Sequence, residues 1–299
     1  IRCIDYIVPG YAAIANQYFG LPYANRFFTA PSVERPVDEA RRAGATFFSI
    51  WLGSNDVLLY ATAGGEGAPI GISPIEQFTI AYDSVITMMT RYGAKGVVIN
   101  VPDITSIPFF TAIPANGLTL TLDQAQQLNN TYNGSNMLFH EGAGNYFVVQ
   151  DTSIPGKRRQ IQDGEYLLLS IPQDSLKCAG WGTTKPIPAS YVLDSKEVTN
   201  VTAATNQFNS VIAQMAAAHN TPVVDMHSYL RTVASGIKFN GVTYSTQFVS
   251  GGAFSLDGVH PTPRGYALIA NQIINTINSY YGSTVPLLDV NSYTGVKLP

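Results

Sequence analysis

The sequence predicts an α/β fold, a three-layer α/β/α sandwich built on a parallel sheet. Three observations predict it. Short apolar runs of strand length alternate with segments whose apolar residues recur at helical spacing, the pattern of a parallel sheet covered on both faces. The run Thr46 to Leu52 (TFFSIWL) is apolar almost throughout, as a strand buried on both faces requires. The composition suits a large core: of 299 residues, 45% are hydrophobic and only 12% charged. A chain of this length buries roughly three quarters of its unfolded surface.

The elements follow in order. Ile4 to Val8 reads as the end of a strand, closed by Pro9-Gly10, and Tyr11 to Phe19 as helix-like. After the strand Thr46 to Leu52, Ser73-Pro74-Ile75-Glu76 forms a capping box with proline at the first helical position. Ile75, Phe78, Tyr82, Val85, Ile86 and Met89 then recur at helical spacing, and Gly93 is placed to end that helix. Val97 to Val101 is the next strand, stopped by Pro102. Later, Asp194 and Glu197 cap a helix that carries Val201, Phe208, Val211, Ile212 and Met215 close to one face. Pro222 to Asp225 is a short strand, and the last helix places Tyr266, Ile269, Ala270, Ile273, Ile277 and Tyr280 on one stripe.

Residues 115–192 break this rhythm. They hold a polar helix near Asp123 to Asn130 and a hairpin from Tyr146 to Gln150 and Gln160 to Ile171, with Lys157-Arg158-Arg159 as a solvated tip. The expected organisation is one domain over 1–299 with this stretch inserted as a cap at one end of the sheet. No repeat period is present.

Charge and composition exclude several functions. Lys and Arg number 17 against 20 Asp and Glu, a net charge of −3. That balance leaves no electrostatic footprint for nucleic acid and no polybasic face for an anionic membrane. No apolar run reaches the ~18 residues of a membrane span. The two cysteines, Cys3 and Cys178, are read as free thiols rather than a disulfide framework. No His/Cys/Asp cluster has metal-ligand spacing and no glycine-rich phosphate loop occurs, so neither metal nor cofactor is expected.

Two patterns carry chemistry. Gly53-Ser54-Asn55-Asp56 follows the apolar strand directly, and Asp257-Gly258-Val259-His260-Pro261-Thr262 precedes the last helix directly. Both fall where an open parallel sheet places its ligands. A hydrolase with a hydroxyl nucleophile needs an imidazole to take the proton and a carboxylate to fix its tautomer. Asp257 and His260, three apart, meet that need within one turn. The Asn55 amide, with a glycine N–H near it, meets the need for oxyanion donors. Asp225 and His227 form a rival pair without an oxyanion motif beside them, so Asp225 is read as a helix cap. Asp103 is read as a turn or cap residue, and His140 and His219 as surface histidines. The tyrosines, 17 in all, are read as core and rim residues rather than a sugar-stacking platform.

Gly-x-Asn-Asp after a strand and Asp-x-x-His near the C-terminus resemble the third and fifth blocks of the SGNH/GDSL family of serine esterases and lipases. Gly96 to Pro114 (GVVINVPDITSIPFFTAIP) and Gly251 to Asn271 (GGAFSLDGVHPTPRGYALIAN) resemble its branch of exported acylhydrolases from Bacteroidetes bacteria. The resemblance covers most of the chain and is weakest in the insertion. It implies a flavodoxin-like sandwich with sheet order 2-1-3-4-5. It also implies that Asn55 is an oxyanion donor, His260 the general base and Asp257 its orienting partner. Val8-Pro9-Gly10 resembles the second block, which implies that the Gly10 N–H is a further donor. The substrates implied are acyl esters of lipid or carbohydrate, in the periplasm, at the cell surface or outside the cell, with peripheral envelope association.

One departure is plain. The first block, Gly-Asp-Ser, carries the family's nucleophile and occurs nowhere in the 299 residues. No Gly-x-Ser-x-Gly elbow replaces it. The expectation is that the chain as given starts after the nucleophile strand, so that the domain is N-terminally incomplete and its sheet lacks a central member. The alternative function is a catalytically inactive cell-surface binding protein that keeps the fold.

Overall fold

The computed structural model describes residues 1–14, 26, 28–151, 153 and 157–296. Its centre is a parallel three-stranded sheet. Strand β1 (Phe47–Ile50) pairs with β2 (Lys95–Ile99), and β2 with β3 (Val223–Val224). Val98 faces Ile50 on one side and Val223 on the other, which fixes the register.

Five helices position the rest. They are α1 (Ser54–Thr62), α2 (Ile75–Thr90), α3 (Ser195–Ala218), α4 (Met226–Ser235) and α5 (Pro263–Tyr281). On one face of the sheet Phe48, Ile50 and Val98 pack with Phe78, Val85 and Ile86 of α2 and Phe208 and Ile212 of α3. On the other, Val97, Ile99 and Val224 pack against Ile269, Ile273 and Ile277 of α5. Apolar residues alternating along β2 thus feed two cores, which makes the molecule three layers deep.

Two local expectations give way to tertiary context. Residues 3–7 form a 3₁₀ helix, not a strand. The Asp5 carboxylate takes the Arg2 N–H at 2.8 Å and its guanidinium at 3.0 Å, and this closes a turn. The helical start at residue 11 continues to 14, and the remainder of that expected helix lies outside the described residues. Ser73 does not cap α2. It is buried and gives its N–H to the Asp56 carbonyl at 3.1 Å, while Pro74 stands at the cap position without a side-chain bond. In contrast, Asp194 and Glu197 each accept the other's N–H at 2.9 Å, the reciprocal box the sequence predicts.

Strand β1 is not buried on both faces. Phe48 and Ile50 point into the core while Phe47 and Ser49 are exposed. β1 is an edge strand, and among the described residues nothing pairs with its outer side. On α5, Tyr266 and Tyr280 are also exposed. The buried side of that helix runs through Ala267, Leu268 and Asn271 toward Tyr244 and Val290, beside the isoleucine stripe on the sheet.

The segment between β2 and α3 folds as small antiparallel pairs with their own apolar clusters. Val148–Gln150 pairs with Arg158–Gln160, a shorter hairpin than the sequence suggests. Tyr166–Leu167 instead joins Val192–Leu193. Of the basic run, Lys157 and Arg158 are exposed, but Arg159 grips the buried Glu165 carboxylate from the strand at 2.6 and 2.8 Å. A buried carboxylate needs such a partner.

Candidate active site

The Asp-x-x-His segment is held before it can act. Ser255 gives its N–H to the His260 carbonyl at 2.8 Å, which closes the loop. Within it, one Asp257 oxygen accepts the Ser255 hydroxyl at 2.7 Å and the N–H groups of Val259 and His260 at 2.9 Å each. The other oxygen meets the His260 Nδ1 at 2.6 Å. Burial works against ionising Asp257. The His260 N–H, the Ser255 hydroxyl, the His260 ring and the Val259 N–H together outweigh it and hold the carboxyl well below the usual carboxylate range. An ionised Asp257 fixes the ring proton on Nδ1 and leaves the Nε2 lone pair free to accept one. The side chains are 70% (His260) and 49% (Asp257) exposed, so the pair stands at the protein surface. Thr262 then caps α5 by accepting the Gly265 N–H at 3.1 Å.

Gly258 makes this loop possible. Its φ is +72°, and a Cβ there would lie 2.8 Å from both the Phe109 nitrogen and Leu169 Cδ2. Its carbonyl accepts the Phe109 N–H at 2.9 Å, which ties the loop to the segment after β2.

Asn55 lies in the first turn of α1, immediately beyond β1. Gly53 caps that helix at φ +114°, where a Cβ would strike Val101 Cγ2 at 2.6 Å. One Asn55 amide hydrogen is donated to the Ile1 carbonyl at 3.0 Å. The second has no partner among the described residues. Asp56 beside it is buried, and its carboxylate takes the Cys3 N–H at 2.6 Å. Burial pushes its carboxyl above the usual range.

Asn55 and His260 line the same cavity, of about 260 Å³. Its other walls are mainly apolar, among them Leu58, Ile104, Ile107, Met226 and Leu230. Trp51 and Ser54 also line it, and the Trp51 indole N–H is buried without a partner. Sequence reasoning missed Trp51, Ser54 and Ser255. The signal for each was nearness in the chain alone: Ser54 is next to Asn55, Trp51 four residues before it and Ser255 two residues before Asp257.

Gly10 is not brought to this cavity. Its N–H is donated to the Glu34 carbonyl at 2.9 Å, so in this arrangement it is no oxyanion donor. Asp225 caps α4, accepting the Ser228 N–H at 3.1 Å and the Asn100 amide at 2.9 Å. It does not hold the His227 ring, whose Nδ1 lies 3.3 Å from the Val101 carbonyl. Asp103 accepts the Thr105 N–H at 3.2 Å as a cap. His140 is exposed, and His219 contacts Thr90 at 3.0 Å. Both cysteines are free: Cys3 is buried and Cys178 exposed. Among the described residues no three His, Cys, Asp or Glu are grouped to hold a metal.

The sequence model of the GDSL-like lipase/acylhydrolase family matches residues 13–273. The chain belongs to that family. Membership in the GDSL-like acylhydrolases supports hydrolysis of small-molecule acyl esters and agrees with the α/β sandwich around a parallel sheet. Asn55, Asp257 and His260 fall inside the matched stretch and Gly10 outside it. No curated protein matches this GDSL-like chain. No described helix is long and apolar enough to cross a membrane.

Proposed function

We propose that this protein cleaves acyl esters through a covalent acyl-enzyme, with His260 as base, Asp257 as its orienting partner and Asn55 as oxyanion donor. The observation that carries the reading is the cavity that Asn55 and His260 share. His260 Nε2 takes the proton of a hydroxyl as its oxygen bonds to the ester carbonyl carbon. The carbonyl oxygen gains negative charge beside the free Asn55 N–H. The bond to the alcohol oxygen breaks, and the imidazolium returns its proton to that oxygen. Water then repeats the two steps and frees the acid. Leu58, Ile104 and Ile107 offer an acyl chain apolar surface.

The hydroxyl in this reading is that of a serine, although the family's Gly-Asp-Ser motif occurs nowhere in the 299 residues. Treating the full-length protein with a fluorophosphonate and mapping the modified peptide tests the nucleophile. The reading predicts one labelled serine. A label on Ser54, which lines the cavity, would place the nucleophile there. No label would favour the second reading, a surface binding protein with the fold and no turnover, for which the missing motif also speaks.

A further inference from the structure

A second cavity, of about 190 Å³, lies beside the first, and Ile104 lines both. Helix α4 forms a wall of both. Met226 and Leu230, one turn apart, line the apolar cavity, and His227 and Arg231, each one residue further on, line the second. The chain after β2 divides in the same way, with Pro102 toward the apolar side and Asp103 toward the other. Helix α3 closes the second cavity with Thr205 and Asn206.

The lining carries several polar groups with unused hydrogen-bonding capacity. Thr205 is only 4% exposed, yet its hydroxyl has no hydrogen-bond partner. Buried hydroxyls are rarely left so, and each such case calls for an explanation. Arg231 forms no ion pair among the described residues. His227 uses one ring nitrogen, toward the Val101 carbonyl, and leaves the other open. One Asp103 oxygen is engaged by Thr105 and the second is unbonded. The set therefore offers donors (Arg231, Asn206), acceptors (Asp103, His227) and a group that is both (Thr205). An apolar chain satisfies none of them, and an anion would meet the Asp103 carboxylate. Adjacent hydroxyl groups, each donor and acceptor, satisfy them all. The volume holds roughly six water molecules at about 30 Å³ each, the bulk of one sugar ring rather than several.

We infer that this cavity binds the hydroxyls of a single sugar ring, the alcohol half of an ester whose acyl half lies across Ile104. The inference rests on the acyl-ester reading for the link between the two cavities, and on Thr205, Asp103, His227 and Arg231 for the site itself.

Equilibrium binding of the methyl glycosides of glucose, galactose and mannose to the full-length protein tests it without turnover. At least one should bind saturably. Thr205→Val and Arg231→Met should each weaken that binding about tenfold, the loss of one good hydrogen bond. Thr205→Val, which removes an unpartnered buried hydroxyl, should leave Tm unchanged or raised, an outcome that a structural role for Thr205 would not give. No saturable binding, binding untouched by both variants, or weaker binding only alongside a lower Tm would overturn the inference. Sugar binding lost in both variants while His260→Ala still hydrolyses p-nitrophenyl esters would sink the catalytic reading and leave this site standing. Ester turnover that needs His260, without sugar binding, would do the reverse.

Discussion

Asp257 makes four contacts within six residues of chain, and all four favour its charged form. The sequence shows Asp-x-x-His plainly because three residues and one turn suffice to bring the groups together. Ser255 was not legible as part of that set: a serine two residues before an aspartate becomes a donor only once the loop closes on the His260 carbonyl. Asp56 presents the opposite electrostatic case. It is buried, and burial raises its folded pKa above the unfolded value of about 3.9. The folded state then holds the proton more tightly, so the stability Asp56 contributes is full below about pH 3.9 and is lost as pH rises through the folded value. Asp56→Asn keeps an acceptor for the Cys3 N–H and cannot ionise. Urea midpoints measured at about pH 4 and about pH 7 should show the variant gaining on the wild type as pH rises. A gap that stays flat or shrinks would contradict the raised value.

At the scale of elements, the helix boxes separate local chemistry from tertiary demand. Asp194 and Glu197 satisfy each other whatever surrounds them, so their pattern reads directly from sequence. Ser73 has the same signature, but its side chain is buried and its N–H is claimed by Asp56, and nothing in the local sequence announces that. Residues 4–8 mislead for a similar reason. Their Ile and Val content suits a strand, while the Arg2–Asp5 contacts curl the chain and no described strand lies beside it. Gly10 had a motif-like setting, yet its N–H direction is decided by the distant Glu34 carbonyl. The loop that carries Asp257 and His260 yields a prediction at this scale. Gly258→Ala forces a side chain into φ +72° and to 2.8 Å from the Phe109 nitrogen. It should cost about 1–3 kcal/mol of stability through strain alone and displace His260. Thermal melts together with ester turnover would check it. Unchanged Tm and unchanged kcat would show that the loop does not need the left-handed residue.

For the whole molecule, the sandwich brings chain segments from opposite ends of the sequence to one cavity. Asn55 follows β1 and His260 precedes α5, and the helices around β2 and β3 set the apolar walls between them. The layer order was legible because apolar alternation along β2 and the helical stripes are long-range consequences of local pattern. The open edge of β1 was not read from TFFSIWL itself, since an apolar run looks alike at the centre of a sheet and at its border. The shared cavity was the part that only coordinates supply. Kinetics of p-nitrophenyl acyl ester hydrolysis by the full-length protein test it most directly, with wild type, Asn55→Ala and His260→Ala compared side by side. The account predicts a loss of about 10²–10³ in kcat for Asn55→Ala with little change in KM, and a loss of about 10³ or more for His260→Ala. Turnover at the wild-type rate in either variant would contradict it.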